Sequence, residues 1–111
     1  MNTLRMACAA ARAAVHIRDA RLSILIYHRV LGRADPFNAG DPDIGQFRWQ
    51  MQTLKKHFRV IDLEFAVAAM RAKDLPKRAA CVTFDDGYAD NLLNAAPILH
   101  ELAIPATFFI A

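Results

Sequence analysis

The stretch Val82-Thr83-Phe84-Asp85-Asp86-Gly87-Tyr88 decides how the rest of the chain is read. An apolar, β-favouring run ends abruptly in two carboxylates and a glycine that permits a tight turn. In β/α folds the carboxyl ends of the strands are where sites are built, because the loops converge there. Adjacent ionised carboxylates repel, and a divalent cation between them removes the conflict. One acid can then ligate the metal while the other stays free as a general base on water. The competing reading is that Asp85 and Asp86 only cap the helix that follows, whose N-terminus favours negative charge.

Working outward, the segments on both sides alternate between strand and helix patterns. Leu22 to His28 reads as a first strand, apolar almost throughout and so expected to be buried on both faces of a parallel sheet. Residues 32–45 carry Gly32, Pro36, Asn38, Gly40, Pro42 and Gly45 and form a loop. Loops of that length in a compact unit are uncommon and often functional. Ile44, Phe47, Met51, Leu54 and Phe58 recur at spacings of three and four, which predicts an amphipathic helix with Asp43 as N-cap. Lys55, Lys56 and His57 fall in its last turn, where cations complement the dipole.

Phe58 to Ile61 predicts a short strand, and Leu63 to Lys73 a second helix stopped by Pro76. Ala79 to Phe84 is the third strand. A helical stretch runs from about Tyr88 to Leu102, in which Pro97 must force a kink or a restart at a first-turn position. Ala106 to Ile110 is a last, strongly apolar strand. The order β-α-β-α-β-α-β predicts right-handed βαβ units and a parallel sheet. Nothing after the last strand would cover it, so the chain reads as the opening part of a larger β/α fold.

Length and charge narrow the choice further. At 111 residues the chain holds one domain at most, and a complete eight-stranded β/α barrel of about 250 residues is excluded. The net charge of +3 is unevenly placed: residues 1–33 hold six arginines against Asp19, and residues 34–111 are net acidic. Clustered basic residues interleaved with aromatics are absent, which argues against nucleic acid as a partner. Residues 1–21 read as an Ala/Arg-rich leader. Its uncharged run from Met6 to Ala11 is shorter than a signal h-region of about 7–15 residues. No stretch reaches the roughly 18 apolar residues of a membrane span. Cys81 sits in an apolar run and is expected to be a buried thiol, Cys8 lies in the leader, and no disulfide framework or Cys/His zinc spacing appears.

The residues around the Asp pair carry a resemblance. Thr83-Phe84-Asp85-Asp86-Gly87 resembles the first signature motif of the polysaccharide deacetylases, the NodB-homology or carbohydrate esterase family 4 domain. The similarity continues through Tyr88-Ala89-Asp90-Asn91, Pro97-Ile98-Leu99 and Ile104-Pro105-Ala106-Thr107-Phe108-Phe109. Upstream, Ile26-Tyr27-His28-Arg29-Val30 is similar to the first strand of many members, and Leu75-Pro76 also fits. The resemblance implies the N-terminal part of a distorted β/α barrel over residues 22–111, incomplete in this chain.

It also implies a hydrolase that removes acetyl groups from N-acetylglucosamine units of a polysaccharide or from acetylated xylan. Asp85 would be the general base and Asp86 the carboxylate ligand of a divalent metal, zinc by resemblance. Tyr88 is a candidate pocket wall, with simple packing as the alternative. His28 lies on the same rim and is a candidate to line the pocket and orient a carboxylate, with a hydrogen-bonded core histidine as the alternative. His57 and His100 read as solvated helix positions, and His16 falls in the leader.

The family completes a two-His, one-carboxylate site with a His-Ser/Thr-x-x-His segment, and residues 1–111 contain none. The expectation is therefore that this chain is inactive alone, truncated before its metal-binding histidines. Two other classes compete with this reading. One is a non-catalytic fragment that binds carbohydrate or assembles with a partner through an exposed sheet edge. The other is a magnesium-dependent phosphotransfer domain, which needs a further acidic residue at another strand end together with a later lysine, a set that no strand end here supplies. The resemblance favours work at the cell envelope, whereas the weak leader favours the cytoplasm.

Overall fold

The computed structural model describes residues 21–111. The leader assigned to residues 1–21, with Cys8 and His16, therefore lies outside the described residues except for Arg21. Four strands form one parallel sheet: β1 (Leu22–Tyr27), β2 (Arg59–Val60), β3 (Ala79–Asp85) and β4 (Ala106–Phe109). β3 is central, with β1 along one edge from Leu22↔Ala79 to Tyr27↔Phe84. On its other edge β2 pairs with Ala79–Ala80 and β4 with Val82–Asp85, end to end.

This order places the helices. The β1-to-β2 and β3-to-β4 connections step the same way across the sheet, while β2-to-β3 steps back. Right-handed crossovers must then put α1 (Ile44–His57) and α3 (Ala96–Glu101) on one face and α2 (Leu63–Arg71) on the other. The packing agrees. Phe47, Met51 and Leu54 of α1 and Ile98 and Leu99 of α3 bury against Ala80, Val82 and Phe84. Ala66 and Ala69 of α2 bury against Ala79 and Cys81, the alternate residues of the same strand.

Local sequence explains the ends of these elements. Asp43 caps α1 through a complete capping box: its carboxylate accepts from the Gln46 N–H at 2.7 Å while Gln46 Oε1 accepts from the Asp43 N–H at 3.0 Å. Phe58 does not continue α1 as its spacing suggests; it is the extended C-cap that turns the chain into β2. α2 ends at Arg71, and its stop is Lys73 rather than Pro76. Lys73 adopts φ 55°, its N–H reaching Met70 O and the Asp74 N–H reaching Ala69 O.

The stretch predicted as one helix from Tyr88 is helical throughout residues 89–101 but widens ahead of Pro97. A π-helical turn spans Asn91–Ala95, with the Ala96 N–H bonding to Asn91 O, and α3 continues directly from it with Pro97 in its first turn. The long loop is closed at its neck by Leu31 N–H to Pro42 O at 2.8 Å and Ile44 N–H to Leu31 O at 2.9 Å.

One expectation fails. β1 is not buried on both faces: Leu25 and Tyr27 pack under α1, whereas Ile24 is 49% and Ile26 61% exposed. α2 is short and covers only the start of the opposite face, near Ala79 and Cys81. The apolar composition of β1 reports affinity for an interior, not whether a second layer lies over it. Phe109, on that same open face beside Asp85, is 50% exposed.

Candidate active site

β3 carries its last paired residue, Asp85, from a fully buried strand out to the rim. The chain then turns sharply through two successive left-handed residues, Asp86 at φ 76° and Gly87 at φ 64°. Aspartate tolerates this region better than most side chains, and glycine enters it without cost. A Cβ at Gly87 would also lie 3.3 Å from Ile110 Cγ2, a tight contact that the exposed Ile110 side chain would have to relieve. Helical backbone resumes only at residue 89, so neither Asp85 nor Asp86 occupies the cap of the following helix. The capping reading of the pair therefore loses its geometry.

His28, the first residue beyond β1, faces both carboxylates. Its Nε2 lies 3.9 Å from Asp85 Oδ2 and 3.8 Å from Asp86 Oδ2, within ion-pair range but beyond a direct hydrogen bond. All three side chains are open to solvent, His28 at 50%, Asp85 at 40% and Asp86 at 56% exposed. His28 is thus not a core histidine. Tyr88 stands next to the pair, partly exposed, with the Arg29 guanidinium over its ring at 5.0 Å from the centroid. His57 and His100 are exposed helix residues.

Sequence reasoning missed the device that joins these groups. Asp90 Oδ2 accepts from Arg29 Nε at 3.0 Å and pairs with Nη2 at 3.0 Å, while Oδ1 accepts from the Val30 N–H at 3.1 Å. Asn91 Nδ2 donates to His28 O at 2.9 Å and Asn94 Nδ2 to Val30 O at 2.7 Å. The end of β1 is therefore laced to the segment after the Asp pair. A signal existed: Asp90, Asn91 and Asn94 interrupt an otherwise apolar helical stretch at spacings that share a face. Asn91 Oδ1 is buried without a hydrogen-bond partner, so its bond to His28 O is the one that fixes this side chain.

Among the described residues, no three His, Cys, Asp or Glu side chains come together in a group that could hold a metal ion. Asp86 can serve as one ligand, but this donor set does not amount to a metal centre by itself. Burial pushes the Cys81 thiol above its ordinary range, with the Asp62 carboxylate adding to the shift, which suits a buried, unreactive cysteine. Burial also pushes Tyr27 up to about 12; its hydroxyl donates to Gln50 Oε1 at 2.7 Å.

A groove of about 850 Å³ lies beside the site, between the free edge of β1, the 39–42 loop and α1. Trp49, 65% exposed, lines it together with Gln46, Gln50 and His57, and His28 stands at its end next to the carboxylates. Among the described residues no helix is long and apolar enough to cross a membrane.

Comparison with known proteins agrees with the resemblance read from the motif. The family model described as polysaccharide deacetylase matches residues 72–111. Among solved structures, IcaB from Ammonifex degensii is 30% identical with a TM-score of 0.68, over 80% of this chain and 37% of that one. The Streptococcus pyogenes deacetylase PplD, solved with acetate, is 25% identical with a TM-score of 0.68, over 80% of this chain and 42% of that one. A de-N-acetylase from Aggregatibacter actinomycetemcomitans is 26% identical with a TM-score of 0.59, over 78% of this chain and 36% of that one. No curated protein matches the sequence. The chain therefore has part of the polysaccharide-deacetylase fold and spans about two fifths of the length of these structures.

Proposed function

We propose that residues 22–111 form the N-terminal part of a polysaccharide deacetylase domain, preceded by a leader over 1–21, and supply its catalytic carboxylates. The reaction is hydrolysis of acetyl groups from an N-acetylated, or O-acetylated, polysaccharide. One observation carries the reading: Asp85 and Asp86 stand on a left-handed turn at the carboxyl end of a buried strand, within the stretch that matches the deacetylase model. The similarity to solved structures described as deacetylases supports the same reaction class.

Asp86 is the carboxylate ligand of a divalent metal, zinc by resemblance. Its remaining ligands would come from outside residues 1–111, which hold no His-Ser/Thr-x-x-His segment. When bound, the metal supplies polarisation of the acetyl carbonyl. Asp85, free of that duty, accepts the proton of the attacking water. The water oxygen adds to the carbonyl carbon, the C–N bond breaks, and acetate leaves while the proton ends on the amine. His28 faces both carboxylates, with its Nε2 3.8–3.9 Å from each. His28 lines the groove beside the carboxylates, and Tyr88, on the same turn, would wall the site itself.

Acetate release from N-acetylglucosamine oligomers by the full-length protein tests this. Asp85→Asn is expected to lower turnover by about 10²–10⁴-fold, Asp86→Asn to abolish metal uptake at this site, and the 111-residue polypeptide alone to be inactive. An Asp85→Asn protein that works at the parent rate would overturn the assignment. A second reading, carbohydrate binding without catalysis, draws on the groove beside Trp49. Saccharide binding by the 111-residue chain in the presence of a chelator would favour it.

A further inference from the structure

The geometry points to Arg29, locked by Asp90, as the positioning residue that holds the Tyr88 ring as a stacking platform for a sugar beside the two carboxylates. The inference rests on the polysaccharide reading above for its substrate class. Arg29 lies 61 residues from Asp90 in sequence, yet both of its guanidinium contacts to that carboxylate are 3.0 Å long. The Asp90 side chain is only 12% exposed, so this pair is shielded in a way an ordinary surface ion pair is not.

With its two nitrogens fixed, the guanidinium has one orientation. It lies over Tyr88 at 5.0 Å from the ring centroid, which covers part of the ring and fixes its plane. Tyr88 still exposes 42% of its surface, one residue past Gly87 on the turn that carries Asp85 and Asp86. An exposed aromatic ring whose plane is fixed next to a hydrolytic carboxylate pair suits the apolar C–H face of a pyranose. A flexible ring would have to be ordered at the moment of binding, at a cost to affinity. Asp90 also accepts the Val30 N–H, and Asn91 holds His28 O, so the platform and the backbone at His28 are tied to one clamp.

The test is binding of an N-acetylglucosamine tetramer to the full-length protein carrying Asp85→Asn, read as Kd. Arg29→Met should weaken binding by about fivefold, the size of one partly exposed cation–π contact. Arg29→Lys should do nearly the same, because an ammonium can pair with Asp90 but has no plane to stack. In a Tyr88→Ala background neither change should weaken binding further, since the two residues act as one unit. A purely structural clamp would still show its loss in that background. With Asp85 restored, the loss should fall in KM rather than kcat.

Parent-like Kd in Arg29→Lys and Arg29→Met, a loss that persists in Tyr88→Ala, or no tetramer binding at all would each overturn the inference; if Arg29→Met fails to fold, Arg29→Lys decides. Acetate release that survives Asp85→Asn would break the catalytic reading and leave this one standing on Kd. Turnover abolished by Asp85→Asn with unchanged Kd in the Arg29 variants would do the reverse.

Discussion

The two faces of the central strand have been treated very differently. Ala80, Val82 and Phe84 point into a core closed by α1 and α3, where Phe84 stacks on Phe108 at 4.8 Å and on Tyr27 at 5.4 Å. Ala79, Cys81, Thr83 and Asp85 alternate with them, and α2 covers only the first two of these. Further along that second face stand Ile24, Ile26 and Phe109, all about half exposed or more, and then the carboxylates. The difference teaches where stability and chemistry reside. One face is sealed and specified by packing, and the other is left open where Asp85 emerges.

The contrast should appear most strongly in unfolding experiments. Phe84→Ala removes a fully buried ring in contact with three other rings and should cost about 3–5 kcal/mol in the 111-residue chain. Ile26→Ser, on the adjacent strand but the open face, should stay within about 0.5 kcal/mol. Denaturant midpoints of the two variants check this. A cost of several kcal/mol for Ile26→Ser would mean that the open face is covered in solution, and the comparison would collapse.

The turn at the rim sharpens the same comparison, because there the backbone rather than the core is under demand. Gly87→Ala places a Cβ at φ 64° and 3.3 Å from Ile110, at an expected cost of about 1–2 kcal/mol. Gly87→Asn should cost less, since asparagine enters this region more readily. In the full-length protein Gly87→Ala should also lower acetate release, because Asp86 must move with the turn. A Gly87→Ala protein as stable and as active as the parent would show that the left-handed turn is not required.

Much of this was legible because it is local. The capping box at Asp43, the periodicity from Ile44 to Leu54, the β-α order and the Asp85-Asp86-Gly87 turn all declare themselves within a few residues. What sequence could not show depends on partners far away along the chain. The apolar run of β1 gave no sign that Ile24 and Ile26 would face open space, because hydrophobicity does not count layers. Strand order was equally hidden: β2 and β4 share one edge of β3 although two helices separate them. Lys73 ended α2 through a left-handed conformation that its residue type does not advertise. The Arg29–Asp90 clamp was the hardest feature to see in sequence, since its two halves are 61 residues apart and each looks like an ordinary surface charge.

Tyr27 sits at the boundary between the two regions, its ring in the sealed core and its neighbour His28 on the open rim. Its hydroxyl is pushed up to about 12 by burial, from an ordinary value of 10.0. The folded state therefore holds the phenol neutral in a range where the unfolded chain releases its proton. The stabilisation is fully present below about pH 10 and is lost as pH rises through about 12. Because the ring is only partly buried, solvent screening reduces the effect to the order of 1 kcal/mol. Tyr27→Phe should flatten this alkaline loss while costing about 1 kcal/mol at neutral pH, since Gln50 Oε1 loses its donor. Denaturant midpoints for parent and variant, taken below and above pH 10, measure the difference. If both lose stability equally on the alkaline side, Tyr27 is wetter than its packing under α1 implies, and the sealed face ends one residue earlier than the structure places it.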